Sequence, residues 1–239
     1  MTEYSDEEGQ RNRIERLPQS AEQAIDQENL RAALDVARRV HRANPSFSPA
    51  IQPESGEIWQ LSEEIKLREA EALYAWAVAT NQLFDADDFT RRWFASGCVK
   101  GGENQVVYEG GDFVLKRNNL AFHTSYLEYF ERLVLHNWLF PDTEYHFIGL
   151  MLVVESDDEL PQLRPVVSQK ALRAVRGATR DEVAALMAQL GFSRRYEDNY
   201  ANADHTLFIE DLHDQNVLVD ATGDLLIFDP VIYLTKPGA

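Results

Sequence analysis

The fold is decided by residues 208–230, which read FIEDLHDQNVLVDATGDLLIFDP. Two apolar runs, NVLVD and LLIFDP, lie on either side of the tripeptide ATG at residues 221–223, and this pattern predicts two strands joined by a tight turn. Aspartate and glycine favour turn geometry, so we assign Asp220 and Asp224 to the turn. The stretch therefore predicts a buried hairpin.

Three polar residues flank this hairpin. Asp211 and Asn216 precede the first strand, and Asp229 follows the second, so the oxygen atoms of Asn216 and Asp229 are brought to the same end of the hairpin. Such oxygen atoms suit Mg²⁺, which binds one or two carboxylates and takes its other ligands from water and phosphate. Asp211 would stand beside that ion as a candidate base. The sequence thus predicts a site for a metal ion and a nucleotide.

Composition limits the function classes that remain. The 239 residues carry a formal net charge of −17, which argues against nucleic acid as a partner because phosphate binding there relies on Lys and Arg. A nucleotide stays compatible, since a few N–H groups, one lysine and a cation can hold its phosphates. Cys98 is the single cysteine, so intrachain disulfides are excluded, and we expect it to be buried and inert.

No segment of the sequence predicts contact with a membrane. The first ten residues, MTEYSDEEGQ, are acidic and lack an apolar core, and the longest apolar run, FIGLMLVV at residues 147–154, is too short to cross a bilayer. We therefore expect a cytoplasmic protein without a membrane partner.

The chain divides into three predicted parts: a disordered acidic arm (residues 1–20), a helical N-terminal region (21–95) and an α+β domain (96–239). Helical spacing of apolar residues predicts helices over 21–43 with a break near Asp26, over 57–84, over 125–140 and, with Thr179 and Gly191 as caps, over 178–192. Apolar runs predict strands over 103–119 around Gly110 and Gly111, and over 146–156 and 162–170 with an acidic turn at 157–159.

The motif DLHDQN at residues 211–216, followed by strand, turn, strand and FDP, resembles the catalytic loop and metal-binding aspartate of the protein-kinase-like superfamily. With LHNWLFPDT (135–143) and QLGF (189–192), it is most similar to the kinase-like domain of polyvalent proteins from phages and conjugative elements, which are mobile genetic elements. The resemblance covers about residues 97–234. It implies a protein-kinase-like bilobal α+β fold with a truncated C-lobe, preceded by the helical region.

The resemblance also implies roles for upstream residues. Gly101 and Gly102 match a reduced glycine-rich loop over the phosphates of ATP, and Lys116 matches the strand lysine that contacts those phosphates. The helix over 125–140 then offers Glu128, or alternatively Glu131, as the partner of Lys116. Gln169 falls where a backbone hinge meets adenine. The implied ligands are ATP and Mg²⁺.

Several positions depart from the pattern of regulated kinases. Ile209 stands where histidine precedes the catalytic aspartate, and Pro230 stands where Phe-Gly follows the metal-binding aspartate. Pro230 fixes its own φ, so we expect no flipping segment there. The sequence ends nine residues after Pro230, and we expect no activation segment and no helical platform for a peptide.

The expected function is Mg²⁺-dependent transfer of the ATP γ-phosphate to an unidentified hydroxyl on a protein or a small molecule. Asp211 and Lys116 would be the catalytic residues, and Asn216 and Asp229 the metal ligands. Two alternatives stay open: a pseudokinase that binds nucleotide or serves as a scaffold, and transfer of AMP by the same fold. His213, beside Asp211, is interpreted as an orienting or packing residue.

Overall fold

A computed structural model describes residues 17–44, 55–108, 111–154 and 160–235, without side chains for 55–61. Most of the expected acidic arm, Gly110 of the expected glycine turn and the acidic turn at 157–159 lie outside these residues. The fold mixes helices and antiparallel sheets, which confirms the α+β class.

The helices agree closely with the four predicted helical segments, but the helix over Ala86–Ala95 was not predicted. Their bounds are α1 Gln19–Ala24, α2 Glu28–Ala43, α3 Ser55–Thr80, α4 Ala86–Ala95, α5 Tyr126–Leu139 and α6 Arg180–Gln189, with a 3-10 turn at Pro141–Thr143. The break near Asp26 is confirmed, since α1 and α2 are separate helices. No helix within the described ranges has both the length and the apolar character needed to cross a membrane.

The strands include all those that the sequence predicted and several that it did not. Their bounds are β1 Val99–Lys100, β2 Asn104–Tyr108, β3 Phe113–Asn118, β4 Tyr145–Val153, β5 Gln162–Lys170, β6 Ala174–Gly177, β7 Phe192–Tyr196, β8 Asn199–Asn202, β9 Leu207–Glu210, β10 Val217–Asp220, β11 Leu225–Ile227 and β12 Val231–Leu234. The unexpected strands are β1, β6, β7, β8, β9 and β12.

An antiparallel five-stranded sheet occupies the middle of the chain, in the order β1-β2-β3-β5-β4. Side chains of β3 alternate between its two faces. Leu115 joins a buried cluster with Phe89 of α4, whereas Lys116 points to the opposite face. Helix α5 connects β3 to β4 and packs on that opposite face. Because side chains alternate along β3, Lys116 lies on the same face of the sheet as α5.

One hydrophobic core extends through most of the described chain. It joins residues from α1, α2 and α3 to α5, to the five-stranded sheet and to the strands after β6. Examples from its two ends are Leu34 of α2 and Ile232 of β12, both almost completely buried. The boundary proposed near residue 95 stays a prediction.

The N-terminus of α5 is satisfied by residues from two elements. The carboxylate of Glu69 on α3 is fully buried and accepts hydrogen bonds from the backbone N–H groups of Tyr126 (2.7 Å) and Leu127 (3.0 Å). His41 of α2 contacts the same carboxylate at 2.9 Å. The side chain of Ser125 accepts from the N–H of Glu128, so the exposed donors of the first turn are used. Helix α5 is thus held in place by the N-terminal helices.

The outer edge of β4 is covered by the N-terminal segments. The side-chain amide of Gln27 donates to the carbonyl of Tyr145 (2.7 Å) and accepts from the N–H of Phe147 (2.8 Å). Further along, the chain at 82–84 pairs with Leu150. A Cβ on Gly149 would lie 2.2 Å from the carbonyl oxygen of Gln82, so this pairing requires glycine.

After β5 the chain forms two smaller sheets, β11-β10-β6 and β12-β9-β8-β7. The predicted hairpin of β10 and β11 is confirmed: Oδ1 of Asp220 accepts from the N–H groups of Thr222 (2.8 Å) and Asp224 (2.9 Å), and Gly223 has φ +94°. The Thr179 cap of α6 is also confirmed, as a capping box with Glu182.

One expectation about the surface is wrong. Cys98 is exposed, although we expected it to be buried. It follows α4 with φ +57°, in a tight turn between helix and sheet that leaves its side chain outside the core.

Candidate active site

Lys116 and Asp229 form the centre of the candidate site. Nζ of Lys116 lies 3.1 Å from Oδ1 of Asp229, although 113 residues separate them. The lysine side chain is 8% exposed and the aspartate side chain 36% exposed, so the pair sits at the margin of the core with one member open to solvent. The ammonium group also lies over the rings of Tyr145 (5.2 Å) and Phe228 (5.8 Å). The fold therefore joins the strand lysine to the aspartate after the hairpin.

The surroundings of Asp229 keep it ionised. Burial raises its pKa, but the charge of Lys116 and the hydrogen bond from Tyr145 outweigh burial and lower the pKa below its ordinary value. The hydroxyl of Tyr145 donates to Oδ1 at 2.5 Å. Burial and the charge of Asp229 in turn raise the pKa of Tyr145, so the phenol stays protonated and acts as a donor.

Asp211 and Asn216 are linked directly. The side-chain amide of Asn216 donates to the backbone oxygen and to Oδ2 of Asp211, both at 3.0 Å. Nε2 of His213 lies 3.2 Å from Oδ1 of the same carboxylate, while its Nδ1 accepts from the N–H of Gln215. His213 therefore contacts both the carboxylate of Asp211 and the backbone of its own loop. The backbone oxygen of Asn216 accepts from the N–H of Phe228 at 3.0 Å, which ties this loop to the residue before Asp229.

The two aspartates share an uncommon backbone conformation. Asp211 has φ +66° and Asp229 has φ +50°, in the left-handed region that non-glycine residues seldom enter. Such residues cluster at functional sites, because surrounding contacts must hold them there. The loop that contains Asp211 and Asn216 also packs closely against Gly177. A Cβ on Gly177 would lie 2.5 Å from the backbone oxygen of Asp214 in this loop.

The turn between β1 and β2 carries the two predicted glycines. The N–H of Gly101 donates to the backbone oxygen of Asn104 at 2.8 Å. A Cβ on Gly101 or on Gly102 would meet its nearest neighbour at 3.8 Å, which is ordinary van der Waals contact. The fold itself therefore does not require glycine at either position.

Glu103 completes this turn and was not singled out in the sequence. Its carboxylate lies 3.5 Å from Nε2 of the buried His123. Burial raises the pKa of Glu103, but the contact with His123 and the charge of Arg132 outweigh burial and lower it. Burial lowers the pKa of His123. A negative charge thus lies beside the predicted phosphate loop, close to positive charge from α5.

The two predicted partners of Lys116 lie on α5 and have contacts of their own. Glu128 accepts from the backbone N–H of Thr124 (2.9 Å) and lies 4.0 Å from Arg132. Glu131 is buried and faces Arg38 of α2 at 4.0 Å. Lys116 contacts Asp229, as described above, and its pairing with Glu128 or Glu131 stays a prediction.

Gln169 lies inside the sheet. Its backbone is in register with Val114 of β3 and Tyr145 of β4, and its buried side chain donates to the backbone oxygen of Thr143 at 2.7 Å. The connection between the large sheet and the later strands begins after Lys170. The N–H of Ala171 donates to the backbone oxygen of Asp112 at 2.7 Å, so the first residue of this connection is still tied to the large sheet.

A buried network behind the site was missed in the sequence. Nε2 of His136 on α5 donates to the backbone oxygen of Thr143 at 3.0 Å, and the hydroxyl of Thr143 donates to the backbone oxygen of Ile227 at the end of β11. Burial lowers the pKa of His136 to about 4, so the imidazole is neutral at pH 7. The LHNWLFPDT segment contains both residues, but the contact of Thr143 with Ile227 spans 84 residues and leaves no local signal.

With this geometry, the comparison with known protein families becomes informative. The sequence of residues 66–236, well over half of the chain, matches the family model of the serine/threonine/tyrosine kinases found in polyvalent proteins. The chain belongs to this kinase family. No curated protein and no solved structure gives a significant match.

Membership of the polyvalent-protein kinase family confirms the resemblance drawn from DLHDQN and FDP. At a coarse level it makes the chain a kinase-type phosphotransferase that binds nucleotide, with the general use of ATP and a metal ion that this implies. The match begins at Lys66, within α3, so the family region includes part of the N-terminal helices.

Proposed function

We propose that this kinase transfers the γ-phosphate of ATP, with Mg²⁺, to a hydroxyl on a protein or small-molecule acceptor. The observation that carries the proposal is the contact of Lys116 with Asp229 beside the linked pair of Asp211 and Asn216. A lysine, a base and two metal ligands are the parts on which enzymatic phosphoryl transfer depends.

Asn216 and Asp229 fit a divalent cation. Among the contacts of the described residues, none engages Oδ2 of Asp229 or Oδ1 of Asn216, so each offers one oxygen. The described chain contains no cluster of three or more His, Cys, Asp or Glu side chains placed for a metal. The proposed ion therefore takes its other ligands from phosphate oxygens and water, as Mg²⁺ commonly does. When bound, it neutralises the charge that develops on the phosphates.

The remaining residues act on the substrates. Lys116 neutralises phosphate charge, and the turn at Gly101 and Gly102 lets the backbone approach the phosphates because no side chain intervenes. Asp211, oriented by His213 and Asn216, receives the proton of the acceptor hydroxyl. The acceptor oxygen bonds to the γ-phosphorus as its bond to the β–γ bridging oxygen breaks, and ADP leaves.

This function implies two lobes with the nucleotide between them. We assign the five-stranded sheet and α5 to one lobe and the shorter sheets after Lys170 to a reduced second lobe. The connection at residues 171–173, where Ala171 and Leu172 are half-buried and Arg173 is exposed, would lie next to adenine. We retain the division into an N-terminal helical region and a kinase domain from residue 96 as part of this proposal.

The test is ATP turnover by the purified chain with Mg²⁺. Wild type is expected to release ADP, and Asp229→Asn is expected to reduce the rate by more than about a hundredfold, because it removes the charged metal ligand. Asp224→Asn is the matched control, since Asp224 lies in the turn of the same hairpin and contacts only turn residues. It should retain the wild-type rate.

The products separate the alternatives. Release of AMP-modified acceptor and pyrophosphate would replace phosphotransfer by AMP transfer. Binding of ATP with Mg²⁺, seen as a rise in melting temperature without any turnover, would identify a pseudokinase. Equal background turnover by wild type and Asp229→Asn would remove the enzymatic proposal.

A further inference from the structure

The hydroxyl of Tyr145 contacts both the main chain and the side chain of Asp229. It donates to Oδ1 at 2.5 Å and accepts from the backbone N–H at 3.3 Å. These contacts link the first residue of β4 to a residue 84 positions later. Hydrogen bonds at two points of the same residue restrain its backbone torsions and its side-chain rotamer together.

Asp229 needs such restraint. Its φ of +50° lies in the left-handed region, which is unfavourable for a non-glycine residue. Pro230 follows it, and the ring of a proline favours an extended conformation for the preceding residue. The local sequence thus drives Asp229 away from the conformation that the structure shows, so tertiary contacts must hold it.

Lys116 does not provide this restraint alone. Its ammonium group contacts Oδ1 at 3.1 Å, but the lysine has a flexible stem and can follow a carboxylate that moves. In addition, its contact is with the carboxylate, whereas the backbone N–H of Asp229 is bonded to Tyr145. The phenol is therefore the group that fixes the main chain.

Tyr145 is itself rigidly placed. Its backbone oxygen accepts from the side chains of Asn137 (2.8 Å) and Gln27 (2.7 Å), and its N–H donates to Oδ1 of Asn137 at 2.8 Å. Its ring is 6% exposed and packs against the ring of His136, with centroids 4.6 Å apart. Because its backbone is fixed on β4 and its hydroxyl is bonded to Asp229, Tyr145 holds Asp229 at a fixed position relative to β4.

We propose that Tyr145 is a positioning residue that holds the main chain and carboxylate of Asp229 in the orientation needed to bind the divalent cation. This inference rests on the proposed metal site at Asn216 and Asp229. Tyr145 acts through Asp229 and does not contact the reacting groups. Without its hydroxyl, the backbone of Asp229 loses a partner and relaxes toward the extended conformation that Pro230 favours, which moves the carboxylate out of the position that the structure shows.

The test compares two tyrosine-to-phenylalanine variants by their binding of Mn²⁺ in the presence of ATP, measured by electron paramagnetic resonance. Tyr145→Phe keeps the ring that packs in the core and removes only the hydroxyl. Tyr126→Phe is the matched control, because Tyr126 is also buried and its hydroxyl donates to the backbone oxygen of Leu163 at 2.5 Å, on the strand β5 rather than at Asp229. Melting temperatures of the metal-free proteins show the general cost of losing a buried hydrogen bond in each.

We expect Tyr145→Phe to weaken Mn²⁺ binding about tenfold, the equivalent of one net hydrogen bond, and Tyr126→Phe to leave it unchanged. In turnover assays Tyr145→Phe should raise the Mg²⁺ concentration needed for half-maximal rate by a similar factor. Unchanged Mn²⁺ affinity in Tyr145→Phe, or equal weakening in both variants, overturns the positioning role. Wild type that binds Mn²⁺ but shows no turnover refutes only the phosphotransferase proposal, whereas wild type that binds no Mn²⁺ with ATP overturns both.

Discussion

Replacement of Glu69 by alanine should destabilise the protein strongly, because this residue holds the start of α5. Glu69 is fully buried and accepts the N–H groups of Tyr126 and Leu127 at the start of α5, with His41 as a third contact. Glu69→Ala leaves two buried backbone donors without partners, each costing about 1–3 kcal/mol. It also removes a negative charge from a helix N-terminus, worth roughly 0.3–1 kcal/mol. The expected loss in the free energy of unfolding is about 4 kcal/mol.

The assay is thermal unfolding followed by circular dichroism, with urea unfolding as a second measure. A loss of about 4 kcal/mol lowers the melting temperature by roughly 8–16 °C for a domain of this size. Glu69→Gln keeps one carbonyl oxygen as an acceptor, so its loss should be intermediate, about 1–2 kcal/mol. Glu71→Ala on the same helix is the control: Glu71 is exposed, and its replacement should change stability by less than about 0.5 kcal/mol.

Two results would refute this reasoning. If Glu69→Ala costs less than about 1 kcal/mol, the buried donors find other partners and the carboxylate is not the cap that the distances indicate. If Glu69→Gln is as damaging as Glu69→Ala, an accepting oxygen is not what α5 requires.

Three further predictions concern other contacts. Gly177→Ala places a Cβ 2.5 Å from the backbone oxygen of Asp214, so ADP release should fall sharply at a stability cost of about 1–3 kcal/mol; unchanged turnover would contradict the close approach. His136 has a folded-state pKa of about 4, below its ordinary 6.5, so the unfolded state binds more protons between these values and the free energy of unfolding should fall by about 3 kcal/mol as pH drops from 6.5 to 4. Urea unfolding of His136→Gln should lack this component; an identical pH slope would show that another group titrates. Thr179→Ala should cost about 1 kcal/mol by loss of the capping box, with Thr179→Ser restoring most of it in thermal unfolding.

The hairpin and the helices other than α4 could be predicted because their signals are local. NVLVD and LLIFDP carry their strand pattern and their turn residues within the fifteen residues 216–230, and the capping box of α6 is contained in four residues. In contrast, β7 has four exposed residues in succession, so it shows no alternation from which a strand could be inferred. Such a strand forms because its neighbour β8 provides a hydrogen-bonding partner.

The site was predictable in its residue types and less so in its pairings. Glu128 was chosen as the partner of Lys116 by analogy, yet it lies three residues after Ser125, which is the spacing of a capping box. That local signal was available and indicates the role the structure shows, at the start of α5. Tyr145 could not be found in this way, because its importance comes only from a contact with Asp229 across the fold.

The covering of β4 by Gln27 and residues 82–84 has a consequence for the behaviour of shortened chains. An uncovered edge strand offers its free N–H and C=O groups to any other extended chain, including a second copy of itself. Gln27 satisfies one end of that edge and the segment at Leu83 satisfies the part near Leu150. A chain begun after α4 would therefore expose a template for intermolecular sheet growth. The helices ahead of the kinase sheet protect the protein against its own aggregation.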